Sequence, residues 1–117
     1  MKLLQINTSN YIGSTGRINS KIGQITSEMG HQSYTAAAYT KDCESEVIRV
    51  GNSMDRSLHA LKTRLFDRHG FGSSIPTHNL ISQIRSIKPD IIHLHNIHGY
   101  YLHAGILFRY LKEADTP

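Results

Sequence analysis

Disulfide bonds within the chain are excluded, because its 117 residues include a single cysteine, Cys43. One cysteine is typical of proteins from reducing compartments and gives the fold no covalent support. The sequence also lacks any apolar run near the ~20 residues that a membrane-spanning helix requires. Its first residues, MKLLQINTSN, lack the longer apolar segment and the small-residue cleavage site of a signal peptide. These absences predict a cytoplasmic protein.

The chain lacks a strong charge bias, since 13 Lys and Arg residues against 9 Asp and Glu residues give a net charge of +4. A small positive charge favours anionic ligands such as nucleotides or phosphates. The basic residues are scattered, and no basic stripe with interleaved aromatic residues is present. Nucleic acid is therefore not expected as a partner.

Strand and helix patterns alternate along the chain, whose length predicts a single domain over residues 1–117. Short apolar segments at residues 2–8, 32–39, 46–51 and 90–95 are typical of β-strands. Between and after them, apolar residues recur at intervals of three and four, which is the period of one helix face. The predicted helices carry Ile18, Ile22, Ile25 and Met29; Leu58, Leu61 and Leu65; Leu80, Ile84 and Ile87; and Leu102, Ile106 and Tyr110.

This order of elements predicts an α/β fold, a Rossmann-like three-layer α/β/α domain with a mostly parallel sheet. The first and fourth strands are apolar on both faces, which is typical of strands covered by helices on both sides. The usual strand order of such a sheet is 3-2-1-4, with a ligand-binding crevice between the carboxyl ends of strands 1 and 4. An α+β domain with an antiparallel sheet is the alternative.

Two unusual loops are expected to meet at that crevice: TSNYIGSTGR, residues 8–17, and NIHGY, residues 96–100. The first loop leads into a helix, whose N-terminal N–H groups favour an anion. Its glycines leave room for a phosphate, its hydroxyls can donate hydrogen bonds, and its guanidinium adds positive charge. The candidate phosphate-binding residues are Gly13, Ser14, Thr15, Gly16 and Arg17.

The glycine loop matches neither established nucleotide-binding motif, because it is not G-x-x-x-x-G-K-[ST] and not G-x-G-x-x-G. The second strand ends in AAAYT, without the acidic residue that holds the ribose of a dinucleotide, so NAD is disfavoured as a cofactor. A tight turn without any ligand is an equally good explanation of the glycines at this point.

Three histidines, His93, His95 and His98, lie on or just after the last predicted strand. His93 and His95 are two residues apart on that strand and so share a face. H-x-H spacing can ligate zinc, with His98 as a third ligand, but no nearby cysteine or carboxylate signature accompanies it. We therefore expect His93 and His95 to be structural residues of a buried strand, and His98 to line the crevice.

Taken together, the loop IGSTGR and the segment KPDIIHLHNIHGYYLHAGILFRYLK resemble the N-terminal domain of a bacterial glycosyltransferase, of the retaining group with the GT-B fold called family 4. The stretch PDIIHLHNIHG is the most specific part, and the resemblance covers residues 1–117. It implies a truncated N-terminal half of a GT-B fold, on the acceptor side of a two-domain cleft. The implied reaction transfers a sugar from a nucleoside diphosphate sugar to a glycan or lipid-linked acceptor, in glycan or polysaccharide biosynthesis.

The resemblance also implies roles for particular residues. Residues Gly13 to Arg17 would lie near the donor diphosphate, and the cleft would be lined by Asn96, His98 and Gly99. No metal and no cofactor are implied, and the enzyme would act in the cytoplasm or peripherally at the inner face of the membrane.

The chain departs from the family where it stops at LKEADTP, before the family's next strand, its histidine and its donor-binding domain. The catalytic residues are therefore unknown, and residues 1–117 alone would be inactive. An unpaired fourth strand, residues 90–96, would favour self-association. Two other interpretations stay open: a stand-alone nucleotide- or phosphate-binding α/β module, and a metal-binding protein based on histidine.

Overall fold

A computed structural model describes residues 1–40, 46–51, 73–98, 101–114 and 116–117 of the chain. The helix predicted around Leu58, Leu61 and Leu65 lies outside these residues, as do Cys43 and Gly99. Within them, the strands and helices are β1 (Lys2–Ser9), α1 (Gly13–Glu28), β2 (Gln32–Tyr39), β3 (Val47–Arg49), α2 (Ser74–Ile87), β4 (Ile91–Leu94) and α3 (Ala104–Glu113).

The strands form one parallel sheet in the order β3-β2-β1-β4. This confirms the predicted α/β class and strand order, and it excludes the antiparallel alternative. Because β1 is central, Gln5 lies opposite Thr35 of β2 on one side and opposite His93 of β4 on the other. The carboxyl ends of β1 and β4 are therefore neighbours, as a crevice at that position requires.

One face of the sheet carries the apolar core and packs against α2 and α3. Along β1, alternate residues point to this face, and Leu4 and Ile6 are fully buried there. The leucine and isoleucine stripe of α2 supplies Leu80 and Ile84 to the same cluster, and α3 adds Leu107. The core face thus follows the apolar pattern of the sequence.

The opposite face of the sheet is polar and packs against α1. Gln5 is fully buried on this face, and its Nε2 donates a hydrogen bond to the Asn19 carbonyl of α1 at 3.0 Å. The helix comes close, since a Cβ at Gly23 would lie 3.1 Å from Ser33 Oγ. We call this buried set of side chains the polar layer; it comprises Gln5, Asn7, Asn10, Asn19 and Thr35.

The apolar stripe of α1 does not face the core, contrary to the usual meaning of such a pattern. Ile18, Ile25 and Met29 are 55%, 44% and 69% exposed. The buried residues of the helix are Gly16, Asn19 and Thr26 instead. The reason is that small and polar side chains let α1 approach the polar layer and form hydrogen bonds with it.

The last helix begins at Ala104, so Leu102, the first residue of its predicted apolar stripe, precedes the helix. Tyr101 and Leu102 are buried and enter the core before the helix starts. His103 then caps the helix, because its Nδ1 accepts a hydrogen bond from the Ile106 amide at 3.2 Å. Among the described residues, no helix has the length and the apolar character needed to cross a bilayer.

The outer edge of β4 carries a partner from the end of the chain. The Ile92 amide donates to the Pro117 carbonyl at 2.8 Å, so the C-terminal residue lies alongside this strand. Self-association through residues 90–96 stays a prediction, and Pro117 would compete with an incoming strand for the Ile92 amide.

Candidate functional site

The loops that follow β1 and β4 are joined by hydrogen bonds through Thr8. Its hydroxyl lies 3.0 Å from the Asn96 carbonyl oxygen and also contacts the carbonyl oxygen of His98. The Asn96 side chain folds back and accepts from the His98 amide at 3.0 Å. Tyr101 donates its phenolic hydrogen to the Asn96 carbonyl at 2.9 Å. These contacts fix Asn96 and His98 beside the end of β1.

Asn7 extends this connection to the first turns of α1. Its Nδ2 donates to the Thr15 carbonyl at 3.2 Å, while its Oδ1 accepts from the Thr8 amide at 2.9 Å. Asn7 itself is fully buried. The segment after β1 and the loop after β4 are therefore parts of one hydrogen-bonded unit, with Asn7 and Thr8 at its centre.

The two glycines of the predicted loop 8–17 lie in the first turns of α1 and differ in their surroundings. Gly13 adopts a φ of +70°, and a Cβ built there would meet nothing within 4 Å. Gly16 is buried, and a Cβ there would lie 3.0 Å from Ser9 Oγ and 3.3 Å from the Tyr11 nitrogen. Gly13 thus leaves open space at the start of α1, whereas Gly16 lets the helix pack against the preceding loop.

The N-terminus of α1 has the electrostatic character of an anion site. Ile12 at the N-cap provides no side-chain hydrogen bond, and the first turn contains no acidic residue. The unpaired N–H groups and the positive end of the helix dipole are therefore not neutralised by the helix itself. Ser14, Thr15 and Arg17 are all exposed around it.

An open groove lies elsewhere, between α1 and the β2–β3 side of the sheet. It measures about 710 Å³, and its lining includes Arg17, Lys21, Thr35 and Glu46. It lies beside the polar face of the sheet, and the described residues that line it include neither Asn96 nor His98. We place the candidate site at the β1–β4 crevice instead, because the N-terminus of α1 and the loop after β4 meet there.

His93 and His95 lie on the same side of the chain, as predicted, although β4 ends at Leu94. His93 is not buried. Its side chain is exposed, while His95 is half-buried and its Nε2 lies 2.9 Å from Gln5 Oε1. The two rings stack with centroids 4.0 Å apart. The prediction of a buried strand was wrong for His93, because α1 packs over β1 and β2 and leaves this part of β4 open. In the part of the chain that the structure describes, no group of three or more potential metal ligands occurs.

His95 is expected to titrate below the ordinary histidine range. Burial lowers its pKa, and the neighbouring charge of His93 lowers it further. The folded state therefore binds fewer protons than the unfolded state in the pH range between its lowered pKa and ~6.5. The stability contribution of neutral His95 is complete above that pH and is lost as the pH falls toward its folded pKa.

A proton NMR titration of the His95 ring checks this expectation. In the His93→Gln variant the pKa should move part of the way back, since burial, the larger cause, remains. A wild-type His95 that titrates at or above the ordinary value of about 6.5 would contradict the burial seen here.

The residues that hold the site together were not predicted from the sequence. The polar side chains Asn7, Thr8 and Asn10 lie at the end of β1 and carry most of its hydrogen bonds. Asn10 Oδ1, for example, accepts from Asn19 Nδ2 at 2.9 Å and from Ser20 Oγ at 2.8 Å. The available signal was the polar run NTSN, residues 7–10, at the carboxyl end of an otherwise apolar strand.

The described side chains at the crevice can bind and orient a ligand through hydroxyl, amide and imidazole groups. Burial raises the pKa of Tyr101 well above its ordinary range, so its phenol stays a hydrogen-bond donor.

Comparison with known protein families, characterised proteins and solved structures finds no match to this chain.

Proposed function

We propose that residues 1–117 form the acceptor-side, N-terminal part of a bacterial GT-B glycosyltransferase of the family-4 type. The whole enzyme would transfer a sugar, with retention, from a nucleoside diphosphate sugar to a glycan or lipid-linked acceptor. It would do so in the cytoplasm or at the inner face of the membrane. The donor domain and the catalytic groups would lie outside these residues, so this chain alone would be inactive.

The observation that carries the proposal is the hydrogen-bonded unit at the β1–β4 crevice. It brings the uncapped N-terminus of α1 and the loop of Asn96 and His98 to the same end of a parallel sheet. That arrangement suits a ligand with an anionic diphosphate and a polar sugar, because the helix terminus favours the anion. Amide and imidazole groups on the facing loop can then bind hydroxyls.

A second candidate is a stand-alone nucleotide- or phosphate-binding module, which the open space at Gly13 also favours. The two candidates differ in the affinity of the 117-residue chain for a nucleotide. Half of a two-domain site should bind with a dissociation constant of about 1 mM or weaker, whereas a complete module should bind at about 10 µM or tighter. Calorimetry with adenosine, guanosine and uridine diphosphates separates them.

Ser14→Glu is expected to weaken nucleoside diphosphate binding about fivefold while leaving the fold slightly more stable. A carboxylate in the first turn interacts favourably with the helix dipole, by about 0.3–1 kcal/mol. The same charge would repel a phosphate at that terminus. Binding can be followed by calorimetry or NMR, and stability by thermal unfolding.

Ser14→Gln is the matched control, since it adds the same bulk without the charge. It should change binding by less than about twofold. Equal binding by Ser14→Glu and the wild-type chain would place the anion elsewhere and overturn the proposed site.

A further inference from the structure

Helix α1 presents its apolar residues to solvent in a regular row. Ile18, Ile22, Ile25 and Met29 follow one another at intervals of four, three and four residues. Ile22 is half-buried and the other three are exposed. Intervals of this kind place side chains along one seam of a helix, as in the packed seam between two helices of a coiled coil. We call these four residues the α1 stripe.

The chain's own core does not cover the α1 stripe, because the other side of the helix is committed to the sheet. Asn19 is fully buried there and donates to Asn10 Oδ1 and to Thr35 Oγ1, at 2.9 and 3.3 Å. Rotation of the helix to bury the stripe would break these bonds and would bring isoleucines to a gap fitted to Gly16 and Gly23. In the described part of the chain Ile18, Ile25 and Met29 therefore stay exposed, and a second surface would remove them from water.

The charges beside the stripe indicate which partner surface would cover it. Lys21 and Glu28 are exposed on one flank, where Gln24 links them: Lys21 Nζ donates to Gln24 Oε1 at 3.1 Å, and Gln24 Nε2 donates to Glu28 Oε1 at 2.8 Å. When two such helices pack antiparallel, with Ile22 against Ile25 of the other copy, Lys21 of each copy faces Glu28 of the other. The flank is therefore complementary to itself across a two-fold axis.

We propose that the α1 stripe is a self-association surface, which binds the α1 stripe of a second copy of this chain in antiparallel orientation. Apolar burial drives the association, and the two Lys21–Glu28 pairs set the orientation. A single helix face is smaller than the ~800 Å² per partner of a standard interface. We therefore expect a reversible dimer with a dissociation constant between about 10 µM and 1 mM.

A charge-swap series with sedimentation equilibrium tests the proposal. The two-fold axis generates two pairs between positions 21 and 28. In a dimer of the Lys21→Glu variant both pairs are acidic, and in a dimer of the Glu28→Lys variant both pairs are basic. Each single variant should weaken dimerisation at least tenfold. The double variant K21E/E28K should restore it, and an equimolar mixture of the two single variants should form a mixed dimer.

Two further variants separate this surface from others. Ile25→Ser should abolish the dimer, whereas Phe108→Ser, at a 48% exposed position of α3, should leave it unchanged. A dimer that survives Ile25→Ser, or one that responds to neither charge swap, overturns the proposal and assigns self-association to another surface such as β4. A chain that stays monomeric at millimolar concentration overturns it as well.

Discussion

Leu4→Ala is expected to lower the free energy of unfolding by about 2–5 kcal/mol, because it opens a cavity in a packed core. Leu4 is fully buried and packs on the core face of the sheet. Denaturant unfolding followed by circular dichroism measures the change. Ile6→Val, which removes one methyl group at the next core position of β1, should cost only about 0.5–1.5 kcal/mol.

Ile18→Ala is the informative control for that result. Ile18 belongs to the most regular apolar pattern of the sequence, yet it is 55% exposed. Its truncation should change the free energy of unfolding by no more than about 0.5 kcal/mol, at protein concentrations too low for association. A loss at Ile18 comparable with the loss at Leu4 would mean that α1 packs with its apolar stripe inward.

Asn19→Leu should also be strongly destabilising, by at least about 2 kcal/mol, although it makes the sequence more apolar. The substitution removes the hydrogen bond from Asn19 to buried Thr35 Oγ1, and Asn10 Oδ1 keeps only its bond from Ser20 Oγ. A buried polar group left without a partner costs about 1–3 kcal/mol. A branched side chain forced into the close approach between α1 and β1 adds about 1–3 kcal/mol.

The matched control is Ser27→Leu, an exposed position on the same helix. It introduces the same side chain without touching the polar layer and should be nearly neutral. If both leucine variants were equally stable, the polar layer would contribute nothing specific to the packing of α1. If Asn19→Leu stabilised the protein, the hydrogen bonds of Asn19 would be dispensable.

Local patterns in the sequence were sufficient to predict the four strands of the sheet and their order. The predicted bounds of the second strand, 32–39, are those of β2, because His31 and Thr40 flank an uninterrupted run of strand-forming and small residues. The strand order also followed, since alternating strands and helices permit few arrangements of a parallel sheet. The third strand is shorter than predicted, spanning Val47–Arg49.

The orientation of α1 could not be read from its periodicity. An apolar stripe shows which residues share a face, but it does not show which face meets the sheet. That choice depends on partners distant in sequence, such as Gln5, which bonds to the Asn19 carbonyl across 14 positions. The exposure of His93 has a similar origin, because it depends on where α1 lies over the sheet.

The candidate site could be predicted only in part. The two loops follow strands whose order the sequence predicts, so their proximity could be expected. The hydrogen bonds of Asn7 and Thr8 that join them depend on side-chain geometry, and no motif encodes it. The different environments of Gly13 and Gly16 likewise emerge only from the packing of α1 against Ser9 and Tyr11.

The central claim is that the start of α1 and the loop after β4 form one anion-binding site. It is tested most directly by titrating the isotope-labelled chain with nucleoside diphosphates and following each backbone amide by NMR. We expect shifts confined to Gly13–Arg17 and Asn96–His98, with a dissociation constant of about 1 mM or weaker. Shifts at Thr35 and Glu46 in the groove beside α1, or none at nucleotide concentrations of about 10 mM, would contradict the claim.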